Sequence, residues 1–224
     1  MGSEMCIRDR FDPDQTGKSA DVDAGAFAPE SKETTHLSIM DRNGNAVALT
    51  TTLNSGYGSH IVVDGAGFLL NNEMDDFSSK PNTLNQFNLI GREANAIEPR
   101  KRMLSSMTPT IVLQEGKPLL VTGSPGGSTI ITTVLQVVVN VIDHGMALSA
   151  AVSSPRFHHQ WIPDSITVEA DSFSADTLDA LRTKGHSDIR PARYGLGDAN
   201  SVMRVNGVLH GVEDPRTQGG AAGY

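Results

Sequence analysis

Two short runs near the start of the chain alternate apolar and polar residues, which is the spacing of β-strands. Their apolar positions are Leu37, Ile39, Val47 and Leu49. Between the runs, residues 41–45 have the sequence Asp-Arg-Asn-Gly-Asn, and the Asn-Gly pair favours a tight turn between two strands. The pattern therefore predicts a β-hairpin whose second strand ends near Asn54.

Two further hairpins are predicted farther along the chain. One joins 110–114 to 119–122 across Glu-Gly-Lys, and the other joins 201–205 to 208–211 across Asn-Gly. A short apolar run at 67–70 predicts an additional strand or sheet edge. No internal repeat accompanies these hairpins.

Three segments predict helices. Residues 129–144 are rich in Val and Ile, so a strand is a rival interpretation, but their length and the helical spacing of their polar residues favour a buried helix. Gly145 is expected to end it. A short helix is predicted at 149–154, and Ser174 is expected to cap a helix that runs to about Lys184. The inward positions of this last helix are Leu178 and Leu181.

Hairpins accompanied by a few helices, without a regular alternation of strand and helix, predict an α+β fold of antiparallel sheets covered by helices. The domain is expected to occupy 34–224, preceded by a disordered or linker segment at 1–33. Within that segment, residues 1–10 resemble vector or sequencing-adaptor read-through. Residues 11–33 are rich in Asp, Gly, Ala and Pro, which is typical of an exposed linker.

The composition argues against several functional classes. Lys and Arg total 18 against 26 Asp and Glu, so the formal net charge is −8 and a nucleic-acid partner is not expected. No apolar run reaches the ~18 residues of a transmembrane helix, so no membrane segment is predicted. Cys6 is the single cysteine, which rules out an internal disulfide framework.

The most distinctive chemistry lies at Glu33-Thr34-Thr35-His36, just before the first strand. A Thr hydroxyl is a poor nucleophile until a base removes its proton. If the chain were cut before Thr34, the freed α-amino group, with an ordinary pKa of about 7.7–8.0, could be that base on the same residue. Taken alone, the segment is also compatible with two strand threonines beside a solvated His.

A glycine-rich loop, Gly123-Ser-Pro-Gly-Gly-Ser128, links a predicted strand to a predicted helix. Glycines allow backbone N–H groups to converge, and a helix N-terminus adds positive potential, so the loop could hold an anion. It is not a phosphate loop of the Walker type, because no Lys follows it. An oxyanion hole and a plain turn forced by close packing both remain open.

Two pairs of polar residues suggest recognition of an amino-acid head group. Asp75-Asp76 could bind an ammonium group, and Ser105-Ser106 could donate to a carboxylate. A solvated acidic turn and an ordinary loop Ser pair are the alternatives. Metal binding fits Asp75-Asp76 poorly, since no His or third carboxylate lies at ligand spacing.

His158-His159 is expected to be a packed, hydrogen-bonded pair, because neighbours on an extended chain point to opposite faces.

A set of long, ungapped motifs runs in order from Thr34 towards the closing Asp214-Pro-Arg216 and Gly223-Tyr224. They are Thr34-Thr-His-Leu-Ser38, Asp41-Arg-Asn-Gly-Asn-Ala46, Thr52-Leu-Asn54, Leu70-Asn-Asn-Glu-Met-Asp-Asp-Phe77, Ser105-Ser-Met107, Gly123-Ser-Pro-Gly-Gly-Ser128 and Pro155-Arg-Phe-His-His-Gln-Trp161. Together they resemble the small, catalytic subunit of the γ-glutamyltransferases. The resemblance covers 34–224.

This resemblance implies an N-terminal-nucleophile hydrolase fold, with two stacked, mainly antiparallel sheets between helix layers. It also implies a precursor that cuts itself before Thr34 into a large and a small subunit. The implied catalytic groups are Thr34 as nucleophile, Thr52 as a hydrogen-bond partner of its amine or hydroxyl, and Gly126 and Gly127 as oxyanion donors. The implied substrate-binding groups are Asn54, Glu73 and Asp76 around the α-amino group, and Ser105 and Ser106 at the α-carboxylate. No cofactor and no metal are implied.

Three departures from the family pattern matter. We expect the large subunit, and with it the family's carboxylate-binding Arg, to be absent from this chain. Glu73 stands where some relatives carry Gln. Phe87 stands where some members place a Tyr on the loop that covers the pocket, so that loop could not close through a phenol hydrogen bond.

The function implied is γ-glutamyl transfer to amino acids or peptides, or hydrolysis of glutathione and related compounds, through a γ-glutamyl-Thr34 ester. The large subunit and these small molecules are then the expected partners, and the family implies a periplasmic or extracellular location. One alternative is an amidase of the same fold, such as a cephalosporin-acylase-like enzyme acting on a glutaryl chain. Another is an uncut, inactive fragment that serves as an interaction domain.

Overall fold

Residues 34–85, 89–161 and 163–224 are described by a computed structural model of the chain. The predictions made for the segment 1–33 and for Phe87 fall outside these described residues. None of the helices in the described part of the chain has the length and apolarity needed to cross a membrane.

The first predicted hairpin is confirmed. Strand β1 spans Thr34–Met40 and pairs antiparallel with β2, Ala46–Thr52, so that the first residue of β1 faces the last residue of β2. The turn is closed by Asp41, whose Oδ1 accepts the N–H groups of Asn43 at 2.9 Å and Asn45 at 2.8 Å. An Asp side chain that replaces backbone partners in this way stabilises a turn locally. The second strand ends two residues earlier than the predicted Asn54.

The other two predicted hairpins join into one antiparallel sheet. Strand β3 (Thr110–Gln114) pairs with β4 (Lys117–Thr122). Two strands near the C-terminus, Ser201–Val205 and Val208–Val212, form the other hairpin. The free edge of β4 pairs with Ser201–Val205, which joins the two hairpins into a four-stranded sheet. The β1–β2 hairpin lies against this four-stranded sheet. Residues 67–70 do not form a strand, but they make a short antiparallel pairing: a bridge joins Leu69 to Val62, and the N–H groups of Val63 and Leu70 donate to the carbonyls of Phe68 and Ile61.

The long apolar segment is a helix, as predicted. Helix α1 spans Thr129–Ile142, and Gly145 takes a left-handed φ of 61° just after it. A second helix, α2, covers Leu148–Ser153. Both helices cover the four-stranded sheet through a shared apolar core, whose buried members are Leu120, Val137, Val141, Leu148, Ala151, Val152 and Ala199.

A third sheet was not predicted. Strands β5 (Phe157–His158), β6 (Ile166–Val168) and β7 (Ile189–Pro191) form it, with β6 parallel to β7. Helix α3, Ala175–Thr183, provides the crossover that a parallel pair requires. This single strand–helix–strand unit was not predicted, but it makes no regular alternation, and the predicted fold class, α+β, is correct. The C-terminal hairpin strands become β8 and β9.

Helix α3 has the predicted cap. The Ser174 hydroxyl accepts the N–H of Thr177 at 3.2 Å, and Leu178 and Leu181 are half-buried, consistent with their predicted inward positions. The cap satisfies one of the N–H groups that a helix leaves without an internal partner at its start.

A buried ionic cluster ties the segment after β9 to the start of β5. Arg156 is 1% exposed and its Nη2 lies 2.6 Å from Asp214 Oδ2, while Arg216 pairs with both Asp214 and Glu169. The Arg156 guanidinium also donates to the backbone carbonyls of Val152 and Leu196. Buried charges are tolerated when they are paired and hydrogen-bonded in this way, and removing one partner is strongly destabilising. The entry into β5 is therefore rigidly anchored.

Candidate active site

One cavity of about 410 Å³ collects most of the residues singled out from the sequence. The predicted site residues that line it are Thr34, Thr52, Asn54, Asp76, Ser105, Ser106 and Gly127. Glu73 and Gly126 do not line the cavity, although Gly126 precedes the lining residue Gly127 and Glu73 shares a short 3₁₀ turn with Asp76. A volume of this size is within the range of small-molecule sites.

Thr34 is held at the cavity by the β1–β2 ladder, in which it lies directly opposite Thr52. The Thr52 hydroxyl oxygen accepts the N–H of Asn54 at 2.9 Å, and Asn54 adopts a left-handed φ of 76°. This turn aims the Asn54 amide at the carbonyl of Asn72, 3.3 Å away. The register thus places the proposed nucleophile beside Thr52, while the predicted hydrogen bond between the two threonines stays a prediction.

The carboxyl of Asp76 lies in a partly buried position at the end of a 3₁₀ turn, Glu73–Asp76. Burial raises the pKa of Asp76, a hydrogen bond from the Ser106 hydroxyl to Oδ2 at 3.0 Å opposes that rise, and the charge of Asp75 adds to it. Burial and the nearby Asp76 likewise raise the pKa of Glu73. A substrate ammonium placed against the carboxylates of Asp76 and Glu73 would stabilise their ionised forms and oppose these shifts.

Ser105 and Ser106 both line the cavity, but their hydroxyl groups donate to different acceptors. Ser106 donates its only hydroxyl proton to Asp76. The Ser105 hydroxyl bonds to its own loop, donating to the carbonyl of Met107 at 3.0 Å. A carboxylate only accepts hydrogen bonds, so either serine must turn its hydroxyl away from its present acceptor before it can bind one.

The glycine-rich loop supplies a directed backbone donor. Gly126 and Gly127 have φ angles of 131° and 55°, which favour glycine, and their carbonyls accept the N–H groups of Thr129 and Ile130 in the first turn of α1. In a planar trans peptide the N–H points opposite to the preceding C=O. The N–H of Gly127 therefore points away from the helix, out of its positive end, and Gly127 lines the cavity that contains Thr34.

Replacing Gly127 tests this donor. Gly127→Pro removes the N–H and should lower turnover by about 10²–10³, the usual cost of one oxyanion donor. Gly127→Ala is the comparison that keeps the N–H and carries the strain of a side chain at positive φ, whereas Pro, whose φ is fixed at about −65°, also shifts the backbone at this position. Steady-state kinetics on both variants should show the larger loss in kcat for Pro. Equal losses in the two variants would make the loop structural.

His36 lies beneath the glycine-rich loop. The Cα of Gly123 is so close to the imidazole that an added Cβ would stand 2.2 Å from its Cε1, which explains the glycine. The ring is hydrogen-bonded at both nitrogens, to Thr50 Oγ1 at 2.8 Å and to Ser38 Oγ at 2.9 Å. Burial lowers the pKa of His36 to about 4, so the ring is neutral at pH 7.

This shift makes stability depend on pH. The ordinary pKa of 6.5 applies to the unfolded chain, so between pH 6.5 and about 4 the unfolded chain binds a proton that the folded chain does not. The free energy of unfolding should therefore fall as the pH drops through this window, by up to about 3 kcal/mol from His36. Thermal unfolding midpoints of the wild type and His36→Gln, compared at pH 7 and pH 4.5, should show a weaker pH dependence in the variant. Identical dependence would remove His36 as the cause.

Several cavity-lining residues were given no role from the sequence, among them Ser128 and Gln160. Gln160 belongs to the motif 155–161, in which residue type alone points to the two His residues. The hydrogen-bonded state predicted for that pair is confirmed, but with separate partners. His158 is buried against Thr132 and Gln160, whereas His159 contacts Asp164.

Within the described part of the chain, no group of three His, Cys, Asp or Glu residues is arranged to hold a metal ion.

Comparisons with known proteins show what the chain is similar to. A sequence model of gamma-glutamyltranspeptidase matches residues 5–224. The glutathione hydrolase proenzyme of Escherichia coli strain K12 is 51% identical over 213 residues, which cover 94% of this chain and 36% of that protein. The chain thus spans about a third of the length of this curated relative.

Solved structures show the same likeness in three dimensions. An acivicin-inhibited gamma-glutamyltranspeptidase superposes with a TM-score of 0.77 at 54% identity, over 82% of this chain and 99% of the other. A cephalosporin acylase from Bacillus halodurans gives 0.72 at 28% identity, over 87% of this chain and 36% of the acylase. The fold is therefore that of the N-terminal-nucleophile hydrolases, and the chain belongs to the gamma-glutamyltranspeptidase family.

Proposed function

We propose that this chain is the catalytic part of an enzyme that transfers the γ-glutamyl group of glutathione and related compounds to amino acids or peptides, or hydrolyses them. The observation that carries the proposal is the position of Thr34, the first residue of β1, in a cavity shared with Asp76 and the Ser105–Ser106 pair. A nucleophile thus lies beside groups suited to an ammonium and a carboxylate. The relatives named glutathione hydrolase support the same substrate class.

The reaction begins once the bond before Thr34 has been cut. The free α-amino group takes the proton of the Thr34 hydroxyl, and Oγ attacks the γ-carbonyl carbon of the substrate. The tetrahedral oxyanion accepts hydrogen bonds from the Gly126–Gly127 loop. The amine leaving group departs with the proton, leaving a γ-glutamyl ester on Thr34. Water or an acceptor amine then attacks the ester and returns the proton to Oγ.

Substrate selection follows from the charges around the cavity. The ammonium of the γ-glutamyl head pairs with Asp76, supported by Asn54 and Glu73. The carboxylate on the same carbon takes hydrogen bonds from Ser105 and Ser106 once their hydroxyls turn. Binding both groups of one carbon fixes the distance from the head to the γ-carbonyl, and hence the alignment of that carbonyl with Thr34.

We further propose that a large subunit from the same precursor packs on this chain. One face of the β1–β2 hairpin is apolar and about half exposed, at Leu37, Ile39, Val47 and Leu49. These residues form adjacent cross-strand pairs, so the face is continuous. Exposed apolar patches of this kind mark interaction surfaces, and the longer proenzyme relatives supply a candidate partner from the same chain.

A cephalosporin-acylase-like amidase is the second candidate, favoured by the fold similarity to the Bacillus halodurans enzyme. The test is a substrate panel on the complete precursor, with γ-glutamyl and glutaryl anilides compared by kcat/KM. A preference for the γ-glutamyl compound supports the transferase reading, and a glutaryl preference supports the acylase. Absence of both activities, together with an uncut chain by intact-mass analysis, would favour an interaction domain.

A further inference from the structure

A row of four side chains runs from helix α1 to the wall of the cavity. The Thr132 hydroxyl lies 2.7 Å from Nδ1 of His158, whose Nε2 lies 2.8 Å from Oε1 of Gln160. The same Oε1 accepts a hydrogen bond from the hydroxyl of Ser128. Ser128 directly follows Gly127, and both Ser128 and Gln160 line the cavity with Thr34. The row therefore ends at the proposed oxyanion loop.

The proton positions along this row follow from its chemistry. An amide oxygen only accepts hydrogen bonds, so Nε2 of His158 must carry the ring proton and donate it to Gln160. Nδ1 then accepts from the Thr132 hydroxyl, whose proton points to this nearer acceptor at 2.7 Å rather than to the carbonyl of Thr129 at 3.1 Å. Burial lowers the pKa of His158, which favours this neutral ring. Gln160 Oε1 uses its two lone pairs for His158 and Ser128, so each member holds the next in one orientation.

Ser128 departs from the usual behaviour of a serine at its position. It is the N-cap of α1, where a Ser side chain normally accepts an N–H from the first turn. Here the side chain makes no capping bond and donates to Gln160 instead. The N–H groups of Thr129 and Ile130 in the first turn are instead accepted by the carbonyls of Gly126 and Gly127, at 3.1 and 3.2 Å. The Ser128 hydroxyl is thus committed to the row rather than to the helix.

The outer end of the row rests on a rigid support. The side chain of Gln136 in α1 makes two hydrogen bonds to the backbone of Phe157. It donates to the carbonyl at 2.8 Å and accepts the N–H at 3.1 Å. Arg156, the preceding residue, is the buried guanidinium of the ionic cluster. His158 is itself 6% exposed. Its imidazole is therefore positioned by the strand backbone on one side and by Thr132 on the other.

We propose that His158 and Gln160 are positioning residues that hold Ser128, and with it the N–H of Gly127, in the orientation needed to receive the developing oxyanion. This inference rests on the proposed function. Misplacing a catalytic group by about 1 Å can cost on the order of 10² in rate, even when the change is remote from the reacting bond. Since the oxyanion exists only after attack, the loss should appear in kcat and leave KM nearly unchanged.

The test uses the complete precursor and a γ-glutamyl anilide. Gln160→Met, which keeps the side-chain length but lacks the acceptor, should lower kcat by about 10- to 100-fold and change KM less than about twofold. Ser128→Ala should behave similarly. The kcat of the double variant should be no lower than that of the more impaired single variant, because both changes break the same hydrogen bond. Active-site concentrations from the pre-steady-state burst correct each rate for unfolded protein.

The histidine is tested by a matched pair. His158→Gln retains an N–H donor close to the position of Nε2 and should keep most of the wild-type kcat, whereas His158→Phe fills the space without a donor and should match Gln160→Met. His210→Phe is the control, since that exposed ring lies on β9, outside the row and the cavity lining, and it should leave both constants unchanged.

Different failures have different meanings. An active wild type with unchanged kcat in Gln160→Met would overturn the positioning role while leaving the proposed function intact. Loss of thermal stability in Gln160→Met, with unaltered kcat per active site, would also overturn it, because the row would then be structural. A wild type without activity on any γ-glutamyl compound would overturn the proposed function and the inference with it.

Discussion

Thr34→Ala is expected to leave the precursor in one piece and without γ-glutamyl activity. Both results have one cause, because the same hydroxyl is proposed to attack the bond that precedes it and, after cleavage, the substrate carbonyl. Losing the nucleophile of a covalent mechanism costs about 10⁶ in turnover. Intact-mass analysis of the purified precursor reports the cut, and an anilide assay reports the activity.

Thr34→Ser is the informative companion of that experiment. It keeps a hydroxyl at the first position of β1 but lacks the methyl group that restricts rotation about χ1, so it should cut more slowly than the wild type. Cleavage that persisted in Thr34→Ala would exclude self-processing by this residue. A contaminating protease is controlled by mixing the Ala precursor with active wild type, which should leave it uncut.

Asp76→Asn should produce the second large effect, confined to substrates that carry the ammonium. Removing one partner of a buried charge pair costs about 2–5 kcal/mol, on the order of 30- to 5,000-fold in kcat/KM. The γ-glutamyl anilide should suffer this loss. The glutaryl anilide lacks the ammonium, so its use should hardly change. The Asn side chain still accepts the hydrogen bond from Ser106, which preserves the local structure.

The comparison of two substrates gives this prediction its control. Equal losses on both anilides would mean that Asp76 supports the fold rather than the ammonium. Ser105→Ala combined with Ser106→Ala should weaken both anilides if a free carboxylate is recognised, because each substrate carries one. A loss limited to Asp76→Asn would assign the serines a structural role.

The hairpins and the long helix could be predicted from the sequence because their signals are local. Asn-Gly turns between alternating runs specify a hairpin within about a dozen residues, and α1 is long enough for its period to show. Strands β5, β6 and β7 are two or three residues long, too short for any alternation. Their pairing, including the parallel β6–β7 contact across α3, depends on packing between distant segments.

The site likewise combines features that local sequence predicts with contacts between distant segments that it does not. The chemistry of Thr34 and of the glycine-rich loop could be argued from residue types, but their common cavity joins segments about 90 residues apart and was anticipated only through family resemblance. The link between Ser128 and Gln160 spans 32 positions and follows no periodic pattern. Sequence reasoning also left open the state of the serines, because their hydroxyl orientation is decided by neighbours such as Asp76.

The pleat of β1 has a consequence for where the proposed cut of the precursor can fall. Thr34 and Thr35 are chemically equivalent, and cleavage before either would yield an N-terminal threonine with its own amine. Successive side chains on a strand point to opposite faces. Thr34 lines the cavity, whereas Thr35 is exposed and pairs with Thr51. A cut one bond too late would place the new N-terminal threonine on the face of the hairpin opposite the cavity. The alternation of side chains along β1 therefore distinguishes two threonines that have the same chemistry.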